Sequence, residues 1–125
     1  HLHAAGQGLS EAAPSAPVTL SFEAKGDGLT FVSAPMTMAT EITGPLAARL
    51  WVSSSTGDAD LFLVVRVFSP DLREVTFAGA IDPHTPVAQG WLRAAHRELD
   101  PALTRSYRPY YTHQRQQDLA HVQIV

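Results

Sequence analysis

At 125 residues, with 45% hydrophobic and 17% charged side chains, the chain has the composition of one globular domain and not of a disordered or fibrous segment. Its net charge of -3 offers no basic surface for phosphate neutralisation, so nucleic acid is not an expected partner. No run of about 18 apolar residues predicts a membrane span, and the absence of cysteine fits a cytoplasmic protein, with secretion left open by a chain that starts on His1.

In chain order, residues 1–17 begin as a short strand and pass into a Gly-, Ser- and Pro-rich linker, and residues 18–125 form the domain proper. Val18 to Phe22 alternates weakly, Lys25-Gly26-Asp27-Gly28 is a turn, and Leu29 to Val32 is a brief strand, which Pro35 restricts to an edge. Two apolar runs follow, Leu46 to Val52 and Leu61 to Phe68, separated by the polar stretch Ser53 to Asp60. They predict two antiparallel strands joined by a turn. In the first, Leu46, Ala48, Leu50 and Val52 share a buried face while Trp51 faces the other way. The second is apolar on both faces, with Arg66 its only charge, as a strand covered on two sides would be.

Arg73 to Ile81 supplies a third strand of a meander, Asp82 to Pro86 a loop, and Gly90 to Arg97 a short extended segment. Residues 98–118 keep no sustained period and predict a long surface loop, followed by a final strand from Leu119 to Val125. Nine prolines and eight glycines give the frequent turns of an all-β domain.

The chemistry-bearing residues are sparse. No Gly-x-Ser-x-Gly elbow is present, and Gly8-Leu9-Ser10-Glu11-Ala12 lacks the second glycine, so no catalytic residue is assigned. His1 and His3 share a face of a strand, but two imidazoles do not make a metal site. Asp58 and Asp60 beside Gly57 offer the hard oxygens that Ca²⁺ prefers, although carboxylates in turns usually bond their own backbone. His84, His96, His113 and His121 have no ligand spacing. No metal and no cofactor is expected. Between Trp91 and Arg115 the charge turns basic and is interleaved with tyrosine, a composition that marks protein interfaces. Trp91, Arg93, Arg97, Tyr107, Arg108, Tyr110 and Tyr111 are therefore the candidate interface residues.

The run Gly90-Trp91-Leu92-Arg93-Ala94-Ala95-His96-Arg97, followed by Leu99-Asp100-Pro101 and Tyr107-Arg108-Pro109-Tyr110, resembles the C-terminal domain of the X-Pro dipeptidyl-peptidase and cocaine-esterase group of α/β-hydrolases. Phe31-x-Ser33-x-Pro35, Gly44-Pro45, Ser53 to Thr56 and Asp58 to Leu61 match in the same order. Ala95 stands where the family often has Ser, and Tyr111 where it often has His.

The resemblance implies an all-β, jelly-roll β-sandwich of galactose-binding-like type, here incomplete at both ends and packed on a catalytic α/β-hydrolase domain. The family's Ser, Asp and His lie upstream and have no counterpart among these residues. The expected function is that of a non-catalytic C-terminal domain of a serine hydrolase that cleaves esters or X-Pro peptide bonds. Its expected tasks are to complete the structure and to help form the cleft or an oligomer contact, and its open edges would also admit a homo-oligomer. The alternative is a free-standing carbohydrate-binding module, which shares this sandwich.

Overall fold

The computed structural model describes residues 1–117 and 122–124. It is an all-β architecture of several small sheets, consistent with a β-sandwich, and its helical turns among the described residues are both of 3-10 type. The chain forms two compact units, His1–Ile42 and Thr43–Val125.

In the first unit, β1 (Leu2–His3) pairs antiparallel with β2 (Gly8–Leu9), and β3 (Val32–Ser33) adds to β2 in parallel. The 3-10 turn Ala5–Gln7 reverses the chain between β1 and β2, with Gly6 at φ 70°. That left-handed conformation costs glycine no Cβ clash. The Gln7 side-chain oxygen accepts from the Thr30 backbone N–H at 3.2 Å and so holds the approach to β3. β3 lies at the sheet edge, two residues before Pro35, as that proline requires. Val18 to Phe22 forms no strand.

In the second unit, β4 (Leu50–Val52) pairs with β9 (Val122–Ile124), β5 (Asp60–Val65) with β8 (Ala88–Arg93), and β6 (Val67–Phe68) with β7 (Glu74–Val75), all antiparallel. The alternation expected around Trp51 holds within β4, where Leu50 and Val52 are half-buried and Trp51 is exposed, but the strand is three residues long and Leu46, expected on the buried face, is 58% exposed ahead of it.

Three expectations are corrected. β4 and β5 do not form a hairpin, because each takes its partner from a distant part of the chain, β9 and β8. Pairing between remote segments leaves no local turn signature to read. The run Leu61 to Phe68 is two strands, broken at Arg66, whose guanidinium turns aside to grip Glu74 at 2.9 and 2.6 Å and stacks 5.2 Å from the Phe68 ring. Finally, β5 is not covered on both faces: it has one strand neighbour, and Phe62, Leu63, Val64 and Val65 are all exposed. The third strand shrinks to Glu74–Val75, with Phe77 bridging Thr85 beyond it. Of the expected final strand, residues 119–121 and 125 lie outside the described residues, as does residue 118 of the expected loop before it.

Among the described residues the fully buried positions are Ala94 and Ala95, in the 3-10 turn Ala94–His96 that follows β8. Three stretches of backbone converge there. Ala94 N–H donates to the Ala59 carbonyl at 2.8 Å, Ala95 N–H to the Asp58 carboxylate at 3.0 Å, and Gln116 N–H to the Ala95 carbonyl at 2.6 Å. Small side chains suit a turn that is closed from both sides in this way.

Candidate functional site

β5 and β8 place six residue pairs in register, from Asp60 opposite Arg93 to Val65 opposite Ala88. Because successive side chains alternate across a strand, one face carries Asp60 and Arg93, Phe62 and Trp91, and Val64 and Gln89. The other carries Leu61 and Leu92, Leu63 and Gly90, and Val65 and Ala88. Leu61, Leu92 and Ala88 are half-buried. On the first face Phe62 is 75% exposed and Trp91 74% exposed, two large rings side by side in water.

The end of this face is held by charge. Arg93 Nε donates to Asp60 Oδ1 at 2.7 Å and its Nη2 to Asp60 Oδ2 at 2.8 Å, a bidentate fork, with Asp58 Oδ2 a further 4.0 Å from Nε. The hydrogen bond from Arg93 pulls the Asp60 carboxyl below its ordinary 3.8. The fork from Arg66 likewise pulls Glu74 below 4.5. Since both folded-state values lie below the unfolded ones, each pair contributes stability at pH above about 4 to 5 and loses it as pH falls through the folded values. We expect acid to destabilise the chain over that interval, and Asp60→Asn with Glu74→Gln to flatten the dependence, measured by urea unfolding at stepped pH. High salt should weaken the wild-type effect, because both pairs face solvent.

Asp58 has a different task. Its Oδ1 accepts from Ala59 N–H at 2.9 Å and from Ala95 N–H at 3.0 Å, joining the start of β5 to the turn after β8. The Thr56 hydroxyl donates to the Asp58 carbonyl at 2.7 Å and packs the 54–58 bend. An open hollow of about 320 Å³ lies here, lined by Asp58, Ala59, Asp60, Arg93 and Arg115. Both carboxylates are thus engaged by backbone amides or by Arg93, the arrangement of a capped and clasped turn. In the first unit, His3 Nε2 lies 2.7 Å from the Ser10 hydroxyl and 3.1 Å from the Ala12 carbonyl, which ties the terminal strand to the residues after β2. Among the described residues no cluster of His, Asp and Glu has the form of a metal site.

The segment after the 3-10 turn is an arch without regular elements, as its lack of period predicts. Leu99 bridges Tyr111, and Arg105 and Arg108 exchange backbone hydrogen bonds of 2.9 and 3.0 Å across Ser106 and Tyr107. The Asp100 carboxylate accepts from Ala102 and Leu103 N–H at 2.8 and 3.0 Å, an N-cap-like turn. Glu98 accepts from the Thr112 hydroxyl at 3.1 Å and from the Gln116 amide at 2.8 Å, which closes the base of the arch.

The seven candidate interface residues are distributed over these features. Trp91 stands on the open sheet face, beside Arg93 in its fork with Asp60. Arg97 donates from Nη1 to the Ala94 carbonyl at 3.1 Å and from Nη2 to the Gln117 carbonyl at 3.4 Å. Tyr107, Arg108 and Tyr110 are exposed on the arch. Tyr111 is half-buried, and its burial raises the phenol above the ordinary range. Two of the three candidate arginines, Arg93 and Arg97, therefore bond groups of the domain itself. Sequence reasoning missed Phe62, which it placed in a covered strand. The available signal was the alternation Asp60, Phe62, Val64, in which a charged residue shares its face with the ring.

Residues 2–116 match the family model described as the X-Pro dipeptidyl-peptidase C-terminal non-catalytic domain, and the chain belongs to that family. No curated protein and no solved structure matches it. Among the described residues no helix is long and apolar enough to cross a membrane.

Proposed function

We propose that this chain is the C-terminal jelly-roll, galactose-binding-like β-domain of a serine hydrolase of the acyl esterase or X-Pro dipeptidyl-peptidase type. It carries no catalytic group of its own. Its tasks are to complete the structure around the catalytic α/β-hydrolase domain and to help wall the substrate cleft or an oligomer contact. The family match over residues 2–116 carries this reading, and the wide apolar surface of β5 and β8 supports it. A surface of that kind is expected of a module that lives against a partner. Cysteine-free composition agrees with a cytoplasmic parent.

The assay is direct. The purified chain should not turn over X-Pro p-nitroanilides or p-nitrophenyl acetate, whereas the intact parent protein should cleave at least one of them. Hydrolysis by the isolated chain that disappears on a single Ser→Ala change, such as Ser10→Ala, would overturn the proposal.

A carbohydrate-binding module is the second reading, favoured by one observation: Phe62 and Trp91 are adjacent and exposed, as rings that stack on a sugar must be.

A further inference from the structure

We propose that Asp27 is a site of spontaneous aspartyl isomerisation and, once converted, an acceptor for a methyl group from a sulfonium methyl donor. The step needs an aspartate whose carboxyl is free, followed by a residue whose backbone N–H is free and unhindered. Asp27-Gly28 is the only Asp-Gly pair in the chain, which has no asparagine to reach the same intermediate by deamidation.

Asp27 is exposed, in the irregular connection between β2 and β3, and among the described residues neither its carboxylate nor the Gly28 N–H has a hydrogen-bond or ion-pair partner. Gly28 sits at φ 69°, with no atom within 4 Å of where a Cβ would stand, so its amide is free to swing toward the side chain. Each of the other described aspartates is held or blocked. Asp58 Oδ1 is fixed by Ala59 N–H and Ala95 N–H at 2.9 and 3.0 Å, and the Asp60 carboxylate is clasped by Arg93 at 2.7 and 2.8 Å. Asp71 accepts from the Ser69 hydroxyl and pairs with Arg73 at 3.0 Å. Asp82 and Asp100 precede prolines, whose nitrogens carry no proton to lose.

The Gly28 nitrogen bonds to the Asp27 side-chain carbonyl carbon, its proton and the carboxyl hydroxyl leave together as water, and a succinimide ring remains. Water then adds back at either carbonyl. Attack at the side-chain carbonyl restores aspartate. Attack at the α-carbonyl breaks the original peptide C–N bond, so that the main chain runs through Cβ and Cγ and the α-carboxylate becomes the pendant group. Water is the only co-reactant. The pendant carboxylate is the substrate that an isoaspartyl carboxyl methyltransferase takes: its oxygen displaces the thioether from the S-methyl group of S-adenosylmethionine, and the methyl ester recloses to the succinimide with loss of methanol. The extra main-chain methylene enters between two fixed points, the Gly26 N–H to Glu23 carbonyl bond of 2.9 Å and the Thr30 N–H to Gln7 side-chain bond of 3.2 Å. Since the second of these holds the approach to β3, conversion of Asp27 loosens the edge of the first sheet.

The test is to incubate the full chain for weeks in buffer at physiological temperature, digest it with trypsin, and read isoaspartate by electron-transfer fragmentation, which cleaves the Cα–Cβ bond that conversion brings into the main chain. The tryptic peptide 26–49 contains Asp27 as its only aspartate, and Asp58, Asp60 and Asp71 in other peptides of the same digest serve as references. Isoaspartate should accumulate at Asp27 several-fold faster than at any of the three. Methyl transfer from labelled S-adenosylmethionine, catalysed by a purified isoaspartyl methyltransferase, should rise in step with it. Asp27→Glu, which keeps the charge on an exposed side chain but must close a larger ring, should lose that methyl uptake. An unconverted Asp27 after the incubation would overturn the proposal. So would isomerisation spread evenly over the four aspartates, or methyl uptake by Asp27→Glu at the wild-type level.

Discussion

Replacing Asp58 with alanine is expected to lower the stability of the second unit by about 1–3 kcal/mol, the usual effect of orphaning a buried hydrogen-bonding group. One carboxylate oxygen receives two backbone donors, Ala59 N–H and Ala95 N–H, from segments 36 residues apart in the chain. Ala95 is only 1% exposed, so water cannot replace the lost acceptor. Asp58→Asn keeps a carbonyl oxygen in place and should recover most of the loss. Urea titration of both variants separates the roles: equal destabilisation by Asn and Ala would show that charge, not the pair of accepted hydrogen bonds, is what matters.

The second large effect is steric. Ala94 and Ala95, at 0% and 1% exposure, sit where the 58–59 segment and Gln116 close on the turn through two backbone hydrogen bonds of 2.8 and 2.6 Å and one of 3.0 Å to the Asp58 carboxylate. Ala95→Leu forces those main chains apart, at a cost of about 1–3 kcal/mol or more, typical of overpacking. Ala95→Ser adds one small polar atom and should be tolerated. Thermal unfolding of the two variants checks the contrast, and a harmless Ala95→Leu would mean the turn is not closely packed.

How much of this was legible in the sequence depends on the range of the interaction. Local signals held in part: the alternation at Leu50, Trp51 and Val52 and the irregular stretch after Arg97 appear in the structure, while the extended segment expected from Gly90 to Arg97 is strand only to Arg93 and turns 3-10 over Ala94–His96. Long-range pairing did not show. Nothing in Leu46 to Phe68 announces that β4 joins β9 and β5 joins β8, since strand composition reports burial and not the identity of the neighbour. The same limit explains Phe62. An apolar strand has the composition of a covered one whether the cover belongs to its own domain or to another. The candidate interface was legible in part, because tyrosine and arginine mark contacts, but composition does not reveal that Arg93 and Arg97 bond partners of their own domain, Asp60 and the Ala94 carbonyl.

The central claim is that this is a β-domain whose apolar sheet is completed by the rest of its protein. Hydrogen exchange of the amides in Asp60–Val65 and Ala88–Arg93, compared between the isolated chain and the intact protein, tests it most directly. Amides that point away from the β5/β8 pairing should exchange rapidly in the isolated chain and slowly in the intact protein, where neighbouring structure covers them. Equal, strong protection in both would contradict the claim and show that the chain closes its own sheet.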